Sequence, residues 1–254
     1  MVDVKQPFLP DFIRNKEFLK PEGRSAIVRQ YWHVVIFLGY LVLFIEFLLL
    51  EKHIVPHYWI SCSIDYYIPF IPIFVVPYVL WFPLIAVVLV LLCFSDRGDF
   101  VRTIMLVYAG MATAMFIYML YPNGQLLRPV IKSQDVFSNF IRNRIYANDT
   151  NTNCMPSIHV LNQLAIHIGL CKSKLFKNRP GWKFTSLILT ILICASTVFI
   201  KQHSIIDVAA ALALEVILYL LVFKVDWSGA VPTKLKSRVR EWELQGIQKK
   251  GVAE

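Results

Sequence analysis

Two apolar runs, residues 184–200 and 208–223, are separated by only seven residues, Lys201-Gln202-His203-Ser204-Ile205-Ile206-Asp207. Each run approaches the roughly 20 apolar residues that a helix needs to cross a bilayer. A chain so built has few folds open to it. In lipid every backbone polar group must be satisfied within the segment, and irregular backbone survives only where protein or water covers it. Charge at such a turn is expensive and seldom kept without use. If the second run is a helix starting near Ser204, His203 and Asp207 stand four residues apart and share a face. A carboxylate in that position holds one imidazole nitrogen as N–H and leaves the other free to attack or to accept a proton. Taken alone, the stretch reads equally well as a polar hinge between two spans.

The rest of the chain follows the same plan. Of its 254 residues, 57% are apolar and 17% charged, against about a quarter charged in a soluble domain. Further spans are expected at 31–50, from about 78 to 94 after a proline-rich approach beginning at 68, at 100–121, and at 157–171. The expected fold is therefore all-α, a polytopic membrane bundle of six transmembrane helices over 31–223. A basic cytoplasmic arm at 1–30, with an amphipathic piece around 8–18, precedes it, and a basic cytoplasmic tail at 224–254 follows. No cleavable signal-peptide pattern is evident in the first thirty residues.

The net charge of +9 does not point to nucleic acid, because the basic residues alternate between loops instead of lining a groove. Lys52, Arg128, Lys132, Arg142, Arg144 and Lys201 fall in segments assigned outside, and the other 20 of 26 fall inside. Both termini are then cytoplasmic, and 51–67, 122–156 and 201–203 share the far side. The five cysteines show no metal-binding spacing. Cys62 and Cys154 lie on one side, where a disulfide is conceivable, but two free thiols are the expectation. Asn148-Asp149-Thr150 has the form of a glycosylation sequon, read here as chance.

Topology brings three outward elements together: Gln125-Leu126-Leu127-Arg128-Pro129, then Asn153-Cys154-Met155-Pro156-Ser157-Ile158-His159, then the Lys201–Asp207 turn. Proline suits a first helical turn, so Pro156-Ser157-Ile158-His159 reads as a helix start with free N–H groups ready for an anion. Arginine adds a planar fork suited to phosphate oxygens. In order and spacing, Arg128-Pro129, Pro156-Ser157-Ile158-His159 and His203-xxx-Asp207 resemble the three-part signature of the type 2 phosphatidic acid phosphatase superfamily of membrane lipid phosphatases. The motifs cover roughly 120–210. The resemblance implies that His203 attacks phosphorus and becomes a phosphohistidine, and that Asp207 orients it. His159 then protonates the leaving alkoxide and activates water, while Arg128, Ser157 and nearby N–H groups hold the phosphate. It implies a lipid phosphate substrate, an active site on the extracytoplasmic face of a bacterial cell membrane, and no metal or other cofactor.

Three positions depart from that pattern. Tyr121 stands where the family has a lysine, Ile158 where it has a glycine, and Ser196-Thr197 where it has Ser-Arg. Lys201 is the candidate replacement for the missing cations, with Lys132 weaker. The variant is similar to a bacterial branch near the inositol phosphorylceramide and sphingomyelin synthases, which implies transfer of a phospho-headgroup to a second lipid as the alternative to hydrolysis. From the residues alone, two other classes stay open: a non-enzymatic transporter with a polar path, and a metal site built from two His and one Asp. His167 and Glu215 each lie eight residues inward from the proposed rim. A buried contact between them is expected rather than a proton path.

Overall fold

A computed structural model describes residues 32–225. The basic arm, with its expected amphipathic piece, and the tail beyond residue 225 lie outside the described residues. A 3-10 turn at Trp32–Ile36 leads into α1 (Phe37–His53). The loop that follows carries β1 (Tyr58–Trp59) and α2 (Ser63–Tyr67). The proline-rich approach then makes a 3-10 turn at Pro72–Phe74 and passes into α3 (Val75–Ser95). This helix begins earlier than 78 because Pro77 falls in its first turn, where the missing N–H is not needed. Pro83 sits inside the helix, as membrane helices tolerate when neighbours satisfy the freed carbonyl.

Asp96 alone separates α3 from α4 (Arg97–Leu120), capping the latter by accepting the Asp99 N–H at 3.0 Å. The long loop after α4 holds β2 (Asn123–Gly124), α5 (Val136–Phe140), a π turn at Ile141–Ile145 and α6 (Tyr146–Asn148). Strands β1 and β2 pair in parallel, Tyr58 beside Asn123 and Trp59 beside Gly124. A Cβ at Gly124 would stand 2.8 Å from the Asn151 carbonyl oxygen, so the close approach of these loops requires glycine there. Then come α7 (Ile158–Lys172), α8 (Pro180–Phe199) and α9 (Ile205–Phe223).

The protein is mostly helical, and five of its described segments are long and apolar enough to cross a membrane: His33–His53, Pro72–Ser95, Arg97–Leu120, Pro180–Phe199 and Ile205–Phe223. The expected fourth span differs. Helix α7 has 15 residues, about 22 Å of rise, well under the roughly 30 Å hydrocarbon core. It is also the hub, packed against α3, α4, α8 and α9. A helix sheathed in protein need not match the lipid in length. That sheath explains why Asn162 and Gln163 are fully buried on it, with Gln163 Nε2 donating to Thr190 Oγ1 at 2.9 Å. Helix α1, in contrast, packs on α4 and has no buried residue over its length.

All five cysteines are free, Cys62 and Cys154 included. The expected His167–Glu215 contact does not form. Both line one apolar cavity of about 310 Å³ between α7 and α9. His167 Nδ1, however, meets Ser186 Oγ at 2.9 Å, and neither carboxylate oxygen of Glu215 has a partner among the described residues. Equal depth brought the two helices' polar residues to one cavity, and Ser186 took the histidine.

Candidate functional site

The site is assembled where α9 starts. Ser204 caps α9: its Oγ accepts the Ile206 N–H at 3.1 Å, and Asp207, at the third helical position, returns the favour by accepting the Ser204 N–H at 2.9 Å. This reciprocal cap satisfies donors that a helix start would otherwise leave open. The same oxygen, Asp207 Oδ2, faces His203 Nδ1 at 3.2 Å. With a carboxylate as acceptor, the proton belongs on Nδ1 and Nε2 carries the lone pair. Both side chains are buried, His203 at 7% exposure and Asp207 at 0%. One cap thus fixes the helix start and the imidazole orientation together.

The second histidine comes from the start of α7. Ser157 is its cap, accepting the Val160 N–H at 3.4 Å, and its own N–H donates to the Asp207 carbonyl oxygen at 3.3 Å. That bond ties the starts of α7 and α9 together. His159 consequently stands with its ring centroid 5.6 Å from that of His203, the planes at 63°. Its ring is held by Tyr78 at 4.7 Å and Trp81 at 4.2 Å, both from α3. Among the described residues, the first-turn N–H groups of Ile158 and His159 carry no hydrogen bond.

Arg128 arrives by another route. Its Nη2 donates to Gln202 Oε1 and to the Thr150 carbonyl oxygen, the latter at 2.6 Å, and its guanidinium lies 4.5 Å over the Tyr146 ring. Gln202 in turn donates to Asp149 Oδ2 at 2.6 Å, and Tyr78 O–H donates to the same oxygen at 3.0 Å. Arginine, glutamine, aspartate and tyrosine form one network beside His203. Asp149 has its carboxyl raised to about 6 by burial first and by the charge of Glu51 next.

Lys201 is the sequence expectation that the structure corrects. Its ammonium does not point into the cleft. It donates to the carbonyl oxygens of Asp65 at 2.7 Å and Ile68 at 2.6 Å, on the far side of the turn. The residue has φ 58°, in the left-handed region of the backbone. Burial lowers its pKa, against the opposing pull of Asp65. The positions that depart from the family pattern are also otherwise engaged. Tyr121 stacks on Tyr58 at 4.0 Å, and Thr197 is fully buried, its carbonyl accepting the N–H groups of Gln202 and His203 at 2.9 and 3.0 Å.

Asp65 is what sequence reasoning missed. At 1% exposure, it accepts Ser204 O–H at 2.7 Å, Ile205 N–H at 2.9 Å and Cys62 N–H at 2.8 Å. Burial alone would raise its pKa, but these donors hold the carboxyl below its usual range. Asp65 therefore grips the turn that carries His203. An acid in a short outer loop just before a long apolar run was the one signal available for it. Asn123 was missed likewise: fully buried, it accepts the N–H groups of Cys154 and Met155 at 2.9 and 2.8 Å and donates to the Tyr121 and Met155 carbonyls, knotting the loop that delivers α7.

His159 and His203 open onto a cleft of about 200 Å³ whose other walls include Tyr40, Phe44 and Phe47 of α1, Trp81 of α3, Tyr118 of α4 and the 148–154 loop. Cys154, His203 and Asp207, all buried, also place one ligating atom each within 4.8 Å of one another. Burial pushes the Cys154 thiol well up, which keeps it protonated. Chemically, the arrangement offers a nucleophilic imidazole braced by a carboxylate, a second imidazole able to carry a proton, and unpaired N–H donors at a helix start. Comparison with family models, with curated proteins and with solved structures finds none that matches this chain.

Proposed function

We propose that the chain is an integral-membrane enzyme that transfers a phosphoryl group from a lipid phosphoester through a phosphohistidine on His203. The observation that carries the reading is the pairing of His203 Nδ1 with the buried Asp207, because it leaves Nε2 as a nucleophile beside a second imidazole. Nε2 attacks phosphorus, the bond from phosphorus to the lipid oxygen breaks, and His159 gives that oxygen its proton. His159 then takes a proton from water, which attacks phosphorus and frees the phosphate from His203. The Ile158 and His159 N–H groups, with Arg128 swung from Gln202, meet the oxygens on which charge develops. Ser157 acts as the helix cap that holds these groups in place. In this reading α7 is the fourth of six crossings, both termini are cytoplasmic and the cleft faces the outside of a cell membrane. An alcohol replacing water in the second step makes the enzyme a lipid phosphotransferase, the alternative outcome of the same chemistry.

The test is the His203→Ala variant, purified in detergent and assayed for release of diacylglycerol from lipid phosphoesters. The expectation is complete loss of turnover with retained folding, because among the described cleft residues His203 is the imidazole whose Nδ1 is held by a carboxylate. Near-normal activity would overturn the mechanism. A second reading, a metal held by Cys154, His203 and Asp207, is favoured by their clustering. It requires Cys154 to lose its proton and predicts activity that chelators remove and a divalent ion restores.

A further inference from the structure

The cavity of about 310 Å³ between α7 and α9 shares no lining residue with the cleft of the two histidines. Its walls run along the second half of each helix, over 164–172 and 212–219. Leu212 and Val216, on the α9 wall, are exposed, so that wall continues onto the lateral surface of the bundle. In a chain that crosses a membrane, lipid meets that surface.

Glu215 lies midway along α9 and is only 3% exposed. It lines the cavity, and neither of its carboxyl oxygens has a partner among the described residues. Other polar side chains of the lining are engaged. His167 Nδ1 meets Ser186 Oγ at 2.9 Å, His167 Nε2 is 3.7 Å from Cys171 Sγ, and Lys172 Nζ stands 5.5 Å over the Tyr219 ring. A carboxyl group buried without a hydrogen bond costs the free energy of its lost hydration. An acidic residue at mid-span is rare and marks a bound partner or an ion path. A path needs further polar groups in line. Apart from the engaged His167, the walls around Glu215 are leucine, isoleucine and valine, which also offer a water too few partners to hold it. What fits is a molecule that is apolar over most of its length and donates a hydrogen bond at one end.

We propose that this cavity binds a single-chain lipid whose head is a hydrogen-bond donor, an alcohol or an amine, with the head on Glu215 and the chain along the apolar walls. A hydroxyl brings one donor to the two oxygens, and an ammonium brings three and a balancing charge. A head that only accepts, such as an ether, leaves both oxygens without a donor. The site is separate from the phosphohistidine chemistry, and the two readings fail separately.

The experiment uses the full chain in phosphatidylcholine nanodiscs with a tritiated dodecanol that carries a diazirine at mid-chain. After irradiation the protein is digested and the labelled peptides are counted, with unlabelled dodecanol, dodecylamine or dodecyl methyl ether as competitor. The expected result is label concentrated in 164–172 and 212–219. The alcohol or the amine should displace it at concentrations at least about tenfold lower than the ether, the scale of one hydrogen bond to a carboxyl group. Whichever of the two displaces better names the head, and both outcomes support the site. Glu215→Leu should erase the preference over the ether and keep the fold, because it removes a buried group that has no partner. Leu212→Trp keeps the carboxyl group and fills the cavity, so it should remove the label itself. Label spread over all lipid-facing helices, displacement by the ether as readily as by the alcohol and the amine, a preference that survives Glu215→Leu, or label that survives Leu212→Trp would overturn the inference.

Discussion

Removal of the Asp65 carboxylate is the perturbation whose consequences the structure defines best. Its two oxygens take three donors, from Ser204, Ile205 and Cys62, at 2.7–2.9 Å, and Lys201 hangs on the carbonyl of the same residue. Hydrogen bonds to a charged group contribute roughly 1.5–3 kcal/mol each, but three on one group are not additive. Breaking a buried charged network typically costs about 3–5 kcal/mol. Asp65→Ala should therefore lower stability by about that much. On the scale of soluble domains of this size, that is a drop in Tm on the order of 10 °C. Because Ser204 and Ile205 open α9, the turn carrying His203 loosens as well, and a displacement of about 1 Å at a reacting group costs on the order of a hundredfold in kcat.

Asp65→Asn keeps the acceptor and loses the charge, so it should fall between Asp65→Ala and the native chain on both readouts. A pH arm follows from the depressed carboxyl. A folded-state pKa below the unfolded value of about 3.9 gives stability that is present above that value and lost as pH falls through the folded one. Native protein should thus lose Tm below about pH 4 more steeply than Asp65→Asn. The assay is thermal unfolding followed by tryptophan fluorescence in detergent, beside kcat on one lipid. Native Tm and native kcat in Asp65→Ala would refute the reasoning.

Three further expectations follow. Gly169→Ala places a Cβ 2.2 Å from Thr103 Oγ1 and 2.4 Å from its Cγ2, so it should destabilise the α4–α7 contact by about 1–3 kcal/mol; Thr103→Ala in the same chain should restore most of the lost Tm, and failure of that rescue argues against the close crossing. In a cysteine-depleted background, impermeant thiol reagent applied from outside should label Asn143→Cys and spare Lys177→Cys, and the reverse pattern would invert the topology. The Asp149 carboxyl, raised to about 6 by burial and by Glu51, loses its charge as pH falls through that value. A folded-state pKa above the unfolded value of about 3.9 costs stability at neutral pH that is recovered as pH falls through the raised value, so native Tm should rise relative to Asp149→Asn between about pH 7 and about pH 5, and a difference flat over that range would contradict the raised carboxyl.

What was legible in the sequence is what depends on near neighbours. The His203–Asp207 pairing rests on a four-residue helical spacing, and the reciprocal Ser204–Asp207 cap enforces it. The placement of His159 near His203 rests on sidedness, which apolar run lengths and basic loops report. Lys201 was misread because its direction is set by Asp65 and Ile68, more than 130 residues away, and its positive φ is announced by no local pattern. Composition reports the apolarity of α7 and not what covers it; its neighbours in this fold are helices on several sides. Likewise, sequence depth placed His167 and Glu215 level but carried no information on competing partners, and Ser186 took the histidine.

The measurement closest to the central claim is direct mapping of the covalent intermediate. The purified chain is mixed briefly with a lipid phosphoester labelled at phosphorus, quenched in base, digested, and the labelled peptide sequenced. Phosphate on histidine survives base and is lost in acid, which separates it from phosphate on serine. The account predicts label on His203 and none after His203→Ala; His159→Ala, which loses the acid of the first step and the base of the second, should still carry label when the substrate has a good leaving group, with turnover of the lipid ester slowed by about a hundredfold or more. Label on another residue, or turnover with no base-stable label in the native chain or in His159→Ala, would contradict it.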